Sequence, residues 1–346
     1  MPKRSRALSP QVAACTLAAT LAAFTPREAS AHVKWFCAYD VAGQPRGLET
    51  VLCTDFELLT ATALAVLLFG LVLEGTAVGT ALLRAFDRVT GGLRSNTELL
   101  FRAVVGAFFV SLWAVGGIIL TPELKTTSQP ISWLQLAIAA GMLWRHTMPL
   151  SALGIVFLFG TGVRDYGVFH LMDYPVFLGV ATYLAATGLG RSPFGMRPLD
   201  IVRWTAAITL MWASVEKWAY PHWTFPLIEA NPAMTAGFDR EFYMQAAGVI
   251  EFTLAFALVL TPLVRRTAAI MLAGAFIGAV FEFGKVDAIG HAPVALAMLA
   301  IAADNAVAQP RRWRPVLATV GYGAALAGFL AVYYVAHAAL FGAAYT

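Results

Sequence analysis

Long apolar segments recur along most of the chain, and they constrain its fold more than any other sequence feature. Residues 316–341, for example, contain no Asp, Glu, Lys or Arg. A helix of about 20 apolar residues crosses the hydrocarbon core of a bilayer, and the polar breaks between such helices form loops. The sequence predicts about ten membrane-spanning helices, at residues 58–80, 99–120, 131–144, 148–163, 174–190, 204–218, 243–263, 267–283, 292–308 and 316–341.

The overall composition points to the same class of protein. Hydrophobic residues make up 59% of the 346 residues and charged residues 13%, whereas soluble globular proteins average about 45–50% and about 25%. Soluble, disordered, collagen-like and coiled-coil chains are therefore excluded. We expect an all-α integral membrane protein, a bundle of about ten helices in contact with the lipid bilayer.

The N-terminus is typical of a secretory signal peptide. It has a basic start that ends at Arg6, an apolar stretch at residues 12–24 and the small residues Ala29-Ser30-Ala31. An uncleaved first helix is the alternative, but about 13 apolar residues are too few to span a bilayer. We predict a signal peptide at residues 1–31 and a mature N-terminus at His32. Cleavage lowers the formal charge from +4 to +1, which leaves no basic surface for nucleic acid.

Arginines mark one side of the predicted bundle. With the mature N-terminus outside, every predicted inward loop contains arginine, as the positive-inside rule requires. The sequence thus predicts a multi-pass protein of the bacterial inner membrane with a periplasmic N-terminus. The inward arginines are Arg84, Arg88, Arg94, Arg145, Arg191, Arg197, Arg203, Arg265, Arg266, Arg311, Arg312 and Arg314.

Two cysteines of the mature chain lie in the predicted periplasmic segment, residues 32–56. In an oxidising compartment Cys37 and Cys53 are expected to form a disulfide. A thiolate pair that binds a soft metal is the alternative.

Histidines and carboxylates concentrate on the predicted outer side, which is net acidic and attracts cations. Five of the six histidines lie there, namely His32, His170, His222, His291 and His337. In a continuous helix Asp287 and His291 share one face, four residues apart, and can bind one metal ion together. Gly284 and Gly290 indicate that the helix could instead stop in this stretch.

Three further positions supply candidate metal ligands. His170 and Asp173 are neighbours if their segment is helical, although Asp173 is equally suited to be the N-cap of the next helix. His222 lies in a proline-stiffened turn, where an interfacial hydrogen bond is the alternative role. A free α-amino group beside the imidazole of His32 would give two nitrogen donors suited to copper.

Charged residues within or at the ends of apolar segments need partners, because an isolated charge in hydrocarbon costs several kcal/mol. We interpret Glu251 and Glu282 as groups that support a metal or accept protons. The alternative is a purely structural ion-pair network between helices. Its members would be Glu216, Glu251, Glu282, Lys217 and Lys285.

Residues 204–304 contain three motifs that resemble the DoxX-like group of small four-helix membrane proteins. Some members are subunits of a thiosulfate:quinone oxidoreductase, so the resemblance implies a four-helix unit at 204–308 with quinone or sulfur redox chemistry. It transfers no catalytic residues. The helices at 57–203 and the C-terminal helix at 309–346 lie outside it. The motifs are Glu216-Lys217-Trp218-x-Tyr220-Pro221, Glu251 with the apolar run to Arg265-Arg266, and Phe283-Gly284-x-x-Asp287-x-x-Gly290-His291-x-Pro293.

The function that the sequence favours is a periplasm-facing metal or redox site, with copper preferred over iron or zinc. A quinone, a small inorganic compound or the metal itself could be the substrate. The first alternative is a proton- or cation-coupled transporter in which Glu216 and Glu251 are coupling sites and Glu74 and Arg102 complete a path. The second is an accessory subunit of a membrane redox complex without chemistry of its own. Walker, dinucleotide, haem-attachment and HExxH motifs are absent from the sequence.

Overall fold

The computed structural model describes residues 33–306 and 315–342, which consist of helices and connecting loops with one isolated β-bridge between Ile118 and Lys125. The predicted signal peptide, His32 and the side chain of Glu282 lie outside the described residues. The helices are α1 (Val33–Phe36), α2 (Leu48–Val51), α3 (Thr54–Glu74), α4 (Ala77–Ser95), α5 (Thr97–Val115), α6 (Gln129–Gly141), α7 (Met148–Tyr166), α8 (Val168–Leu171), α9 (Pro175–Leu189), α10 (Pro198–Ala219), α11 (Phe225–Ala230), α12 (Arg240–Ala257), α13 (Pro262–Ala303) and α14 (Pro315–Phe341).

Within the described residues, six helical segments are long and apolar enough to cross a membrane. The chain is therefore a multi-pass, all-α membrane protein. The other predicted spans are also helical, but α6 and α9 have only 13 and 15 residues, and α12 includes Arg240, Glu241 and Glu251. The count of ten crossings remains a prediction. The six segments are Thr54–Glu74, Thr97–Val115, Arg145–Tyr166, Pro262–Phe281, Phe283–Ala303 and Pro315–Phe341.

Helix α4 occupies a stretch that the sequence analysis left as an inward loop. It is strongly amphipathic, because its apolar and charged residues recur at the helical period. Phe86, Asp87 and Thr90 face Arg266 of α13, whereas Val78 and Val89 are exposed. The hydrophobic pattern of these residues is that of an amphipathic helix. Their charged side chains are the reason that they were not predicted to span the membrane.

Helix α13 is a helical hairpin. Gly284 has a positive φ of 74°, a conformation that is accessible to glycine at little cost. The limbs on either side return along each other, since the rings of Phe276 and His291 are 4.9 Å apart and Arg266 Nε donates to the Ala302 carbonyl at 2.8 Å. The chain thus reverses at Gly284, while Gly290 remains helical, so the expected break occurs at only one of the two glycines.

Residues 37–53 fold over one end of the bundle, which we call the outer end. The Arg46 amide donates to the Ala219 carbonyl at 2.8 Å, and the Tyr220 hydroxyl donates to the Gly43 carbonyl at 2.6 Å. The Tyr334 hydroxyl of α14 donates to the Arg46 carbonyl at 2.6 Å. These bonds hold the segment against α10 and α14.

The predicted disulfide is not formed. In the described part of the chain Cys37 and Cys53 are free thiols. Cys53 precedes α3 and accepts a hydrogen bond from Gln245 Nε2 of α12 at 3.1 Å. Burial raises the pKa of the Cys37 thiol, against a smaller opposing effect of a hydrogen bond with the Leu227 backbone. Each sulfur packs against a different part of the outer end.

Two ionisable residues near the opposite, inner end act as helix caps. Glu74 Oε2 accepts hydrogen bonds from the Thr261 hydroxyl at 2.5 Å and the Leu263 amide at 2.9 Å, at the start of α13. Arg102 donates to the carbonyls of Met142 and Leu143 at the end of α6. Glu74 and Arg102 therefore satisfy backbone groups that helix ends leave unpaired.

Candidate functional site: a cavity in the outer half of the bundle

A cavity of about 320 Å³ lies between α9, α10, α12 and both limbs of α13. Its lining is mainly apolar and aromatic, and Trp35 of α1 forms part of its wall. The lining residues of α13 lie close to the turn at Gly284, and those of α12 extend from Tyr243 to Glu251. The cavity therefore occupies the outer half of the bundle. The ionisable residues in its wall are Asp173, Glu216, Lys217, Glu251 and His291.

A buried lysine holds two of these carboxylates. Lys34 Nζ lies 2.5 Å from Asp173 Oδ2 and 2.7 Å from Glu216 Oε2, and all three side chains are buried. Burial lowers the pKa of Lys34, but the attraction of Asp173 and Glu216 outweighs it and raises the pKa well above its usual value. Lys34 is therefore charged at neutral pH, and it ties α1 to α10 and to Asp173, which precedes α9.

In this triad Asp173 and Glu216 have roles other than those predicted from the sequence. Asp173 is not the N-cap of the next helix, since α9 begins at Pro175 with Tyr174 in the cap position. Glu216 pairs with Lys34 instead of joining a network with the neighbouring Lys217. Adjacent residues on a helix point about 100° apart, so Glu216 and Lys217 contact different partners.

Lys217 forms the second charged pair of the wall. Its Nζ lies 2.9 Å from Glu251 Oε2 and joins α10 to α12. Both side chains are partly exposed, so the pair is hydrated more than the Lys34 triad. Lys285 follows the turn at Gly284 and is not among the residues that line the cavity.

His291 and Asp287 form the third polar group. The break at Gly284 leaves both residues on the second limb of α13, where His291 Nδ1 lies 3.0 Å from Asp287 Oδ1. The Asp287 side chain is completely buried, and that of His291 is 15% exposed. The predicted proximity of this pair at four-residue spacing is therefore confirmed.

Two aromatic rings pack against the imidazole of His291. The ring of Trp35 lies 4.7 Å from it and that of Phe276 lies 4.9 Å from it, between centroids. Gly290 makes the approach of Trp35 feasible, because a Cβ atom at this position would lie 2.1 Å from Trp35 Cη2. Lys34 and Trp35 lie far from this site along the chain, so no local sequence pattern indicated that they join it.

The other predicted metal ligands lie elsewhere. His170 is buried with Nε2 at 3.8 Å from Glu123 Oε1, while Asp173 pairs with Lys34, so the two residues do not act as one ligand pair. His222 is exposed and does not line the cavity. His337 is buried, with Nε2 at 2.9 Å from the Tyr220 hydroxyl. Among the described residues, no group of three or more His, Cys, Asp or Glu side chains could hold a metal ion.

A buried carboxylate that the sequence analysis overlooked lies beside the cavity. Glu123 accepts hydrogen bonds from the hydroxyls of Tyr174 and Thr121, both of which line the cavity. Burial, followed by the negative charge of Glu123, raises the pKa of Tyr39 to about 12. Tyr39 also packs against His170, with ring centroids 5.4 Å apart. Only the fold could bring Glu123 here, from a loop between α5 and α6.

Three polar groups therefore surround one apolar space. The Lys34 triad and the Lys217–Glu251 pair are ion pairs, and the second is partly exposed. The His291–Asp287 pair adds an imidazole, a side chain that can donate or accept a proton. The arrangement is suited to hold a small, mostly apolar molecule beside a group that exchanges protons. Compared with known proteins, the chain matches no family model, no curated protein and no solved structure.

Proposed function

We propose that this protein is a membrane-bound oxidoreductase whose outer cavity binds the head group of a quinone. The observation that carries the proposal is the His291–Asp287 pair beside an apolar cavity, with two aromatic rings packed against the imidazole. A quinone ring is flat and largely apolar, so aromatic side chains suit it. The resemblance of residues 204–304 to the DoxX-like group supports the same chemistry.

The chemistry assigned to the wall residues is proton exchange. Reduction of a quinone to the quinol adds a proton to each carbonyl oxygen, and oxidation of the quinol releases them. His291 is the donor and acceptor for one oxygen, and Asp287 stabilises the protonated imidazole. The Lys217–Glu251 pair is the second proton-exchanging group. Two electrons accompany the two protons, and they come from or pass to a separate redox protein.

A titration with a short-chain ubiquinone analogue tests the proposal. Trp35 contacts His291, so a quinone in the cavity is expected to quench tryptophan fluorescence saturably in the full-length protein in phosphatidylcholine nanodiscs. His291→Ala is expected to weaken binding by about tenfold, the effect of one lost hydrogen bond in a buried site. His222→Ala is the matched control, because His222 is exposed outside the cavity.

Two outcomes oppose the proposal. Unsaturable quenching that is equal in wild type and Trp35→Phe indicates partition into lipid alone. Equal quinone affinity in wild type and His291→Ala shows that His291 does not contact the quinone. A folded His291→Ala protein is verified by its unchanged elution from size exclusion and its unchanged helical circular dichroism.

A metal site at the same residues is the second candidate. The observation that favours it is the fully buried Asp287, whose Oδ2 makes no hydrogen bond within the described residues. Asp287 and His291 would supply two ligands, and His32, outside the described residues, remains the proposed additional ligand for copper. Iron and zinc are the alternative metals for this site. Elemental analysis of protein with its native N-terminus tests this, with Asp287→Asn expected to lower bound metal and a metal-free wild type contradicting it.

A further inference from the structure

The inner end of the bundle contains more arginine than its acidic residues neutralise. Asp87 lies 3.0 Å from Arg94 and 2.9 Å from Arg266. Asp200 and Asp304 are likewise shared, each between two of three arginines. Arginine stays charged at all physiological pH values, so this cluster has a surplus of two positive charges. Its members are Arg94, Arg197, Arg203, Arg265, Arg266, Asp87, Asp200 and Asp304.

Two of these arginines have buried N–H groups that lack an acceptor. Nε and Nη1 of Arg203 and of Arg265 make no hydrogen bond within the described residues. The side chains are only 8% and 0% exposed. Buried polar groups are nearly always hydrogen-bonded, and an unpaired donor is costly. Arg203 and Arg265 therefore contribute to the uncompensated positive charge at this end of the bundle.

A cavity of about 300 Å³ opens at the same end of the bundle. Two of the clustered arginines, Arg94 and Arg197, line it. Its other polar lining residues are Asp304, whose carboxylate pairs with Arg197, and three hydroxyl side chains that can donate to an oxyanion. The hydroxyl side chains are those of Thr97, Tyr183 and Thr187. Guanidinium and hydroxyl groups together are the usual partners of a phosphate.

Helix α4 indicates the depth of this cavity in the membrane. Its exposed apolar residues Val78, Leu82 and Val89 follow each other at spacings of four and seven, which puts them on one strip. Arg84 and Arg88 are exposed on the neighbouring strip. A helix with this pattern lies in the plane of the interface, with its apolar strip in the acyl chains and its arginines among the head groups. Arg94 ends the same helix, so the cavity lies at head-group depth.

We infer that the inner cavity is a binding site for the phosphate of an anionic phospholipid, held by Arg94 and Arg197 beside the surplus charge of the arginine cluster. Basic pockets between helices on the cytoplasmic side are suited to such head groups. A free phosphate ion has the same oxyanion chemistry. The interfacial position of α4 favours the lipid, because a lipid phosphate is already concentrated at this depth.

The test compares lipids by their effect on thermal unfolding of the full-length protein in neutral detergent. Phosphatidylglycerol is expected to raise the midpoint of wild type saturably, by at least about 3 °C, because a ligand that binds only the folded state stabilises it. Phosphatidylcholine and inorganic phosphate are expected to leave the midpoint unchanged. The double variant Arg94→Gln/Arg197→Gln is expected to lose more than half of the phosphatidylglycerol shift.

Arg164→Gln is the matched control, since Arg164 is an exposed arginine on the outer half that pairs only with its neighbour Asp165 in the described structure. An equal phosphatidylglycerol shift in the double variant and the control overturns the inference. So does an equal shift with phosphatidylcholine, and an equal shift with inorganic phosphate overturns the lipid as the source.

If the double variant fails to fold, a measurement on wild type alone tests the inference. Native mass spectrometry from an equimolar mixture of the two lipids is expected to retain phosphatidylglycerol at least about threefold over phosphatidylcholine, a ratio well above chance. Equal retention of both lipids contradicts the inference.

Discussion

The outer and inner ends of the bundle both bury charge, but they neutralise it differently. At the outer end one cation, Lys34, lies between two carboxylates, and both carboxylates form part of a cavity wall. At the inner end Arg265 and Arg266 are buried. Arg265 donates to the carbonyls of Asp304 and Ala306, and Arg266 donates to one carbonyl of α13 and to two side chains of α4. A planar guanidinium can satisfy several acceptors at once, whereas an ammonium suits compact ion pairs.

This difference separates two uses of buried charge. The inner arginines fasten helix ends and leave a positive surplus that faces the head groups. The outer charges surround a space large enough for a small molecule and include an imidazole. We therefore expect substitutions at the outer triad to affect the cavity as well as stability, and substitutions of inner caps to affect stability alone.

The largest effect is expected for Lys34→Met. The substitution leaves Asp173 and Glu216 buried without their cation, and removal of one partner of a buried ion pair costs about 3–5 kcal/mol. Unfolding in detergent, followed by tryptophan fluorescence, measures the change. Lys125→Met, at an exposed lysine of the same end, is expected to cost less than about 0.5 kcal/mol.

The pH dependence of the same triad sharpens this prediction. The pKa of Lys34 is raised in the folded protein, so its contribution is complete below the unfolded value of about 10.4 and is lost only as pH rises through the folded value. Wild type should therefore keep this contribution from pH 7 to about pH 10. Lys34→Met, whose two buried carboxylates have no cation, should lose stability as pH rises, so the difference between the two proteins should not shrink over this range. A difference that disappears near pH 8 contradicts the charged role of Lys34.

The next largest effect is expected for Gly290→Ala. Its Cβ atom would lie 2.1 Å from Cη2 of Trp35, so the ring has to move away from His291. Overpacking of this kind costs about 1–3 kcal/mol, and the fluorescence of Trp35 should shift with it. Gly278→Ala on the first limb of α13 meets nothing within 4 Å and is the control. An unaltered emission spectrum in Gly290→Ala contradicts the contact.

Much of the fold follows from periodicity, and much of the site does not. Apolar windows locate the helices because lipid selects for length and hydrophobicity, which are local properties of a sequence. The proximity of Asp287 and His291 was predictable for the same reason, since their spacing of four is local. Lys34, Trp35 and Glu123 reach the cavity through tertiary packing, which no local pattern encodes.

The wrong expectations have the same origin. Lys217 was the nearest cation to Glu216 in sequence, but the helix directs the two side chains to different neighbours, so Lys34 became the partner. Cys37 and Cys53 are close in sequence, yet α1 and α3 hold them against different parts of the outer end. Sequence proximity predicts contacts along one helix and fails between elements that pack independently.

A smaller effect is expected for Asp304→Asn at the inner end. Burial opposes ionisation of Asp304, but hydrogen bonds from Arg197 and the charge of Arg265 outweigh it and lower its pKa. Its contribution, about 1–2 kcal/mol for a charged hydrogen bond, is therefore present above the unfolded pKa of about 3.9 and is lost as pH falls through the folded value. Acid unfolding of wild type and variant measures it, and their stabilities should converge only at a pH below the unfolded pKa of the carboxyl. Parallel curves at all pH values contradict the assignment.

The smallest effect is expected for Glu74→Ala, and it separates the two ends most directly. Glu74 caps the start of α13, and the loss of a helix cap costs about 1 kcal/mol. Quinone titration should be unchanged, because Glu74 lies at the inner end, away from the cavity. Glu57→Ala, at an exposed carboxylate of α3, controls for charge and should cost less than about 0.5 kcal/mol. Reduced quinone binding in a fully folded Glu74→Ala protein would mean that the inner end takes part in the chemistry. The assignment of quinone binding to the outer end alone would then be wrong.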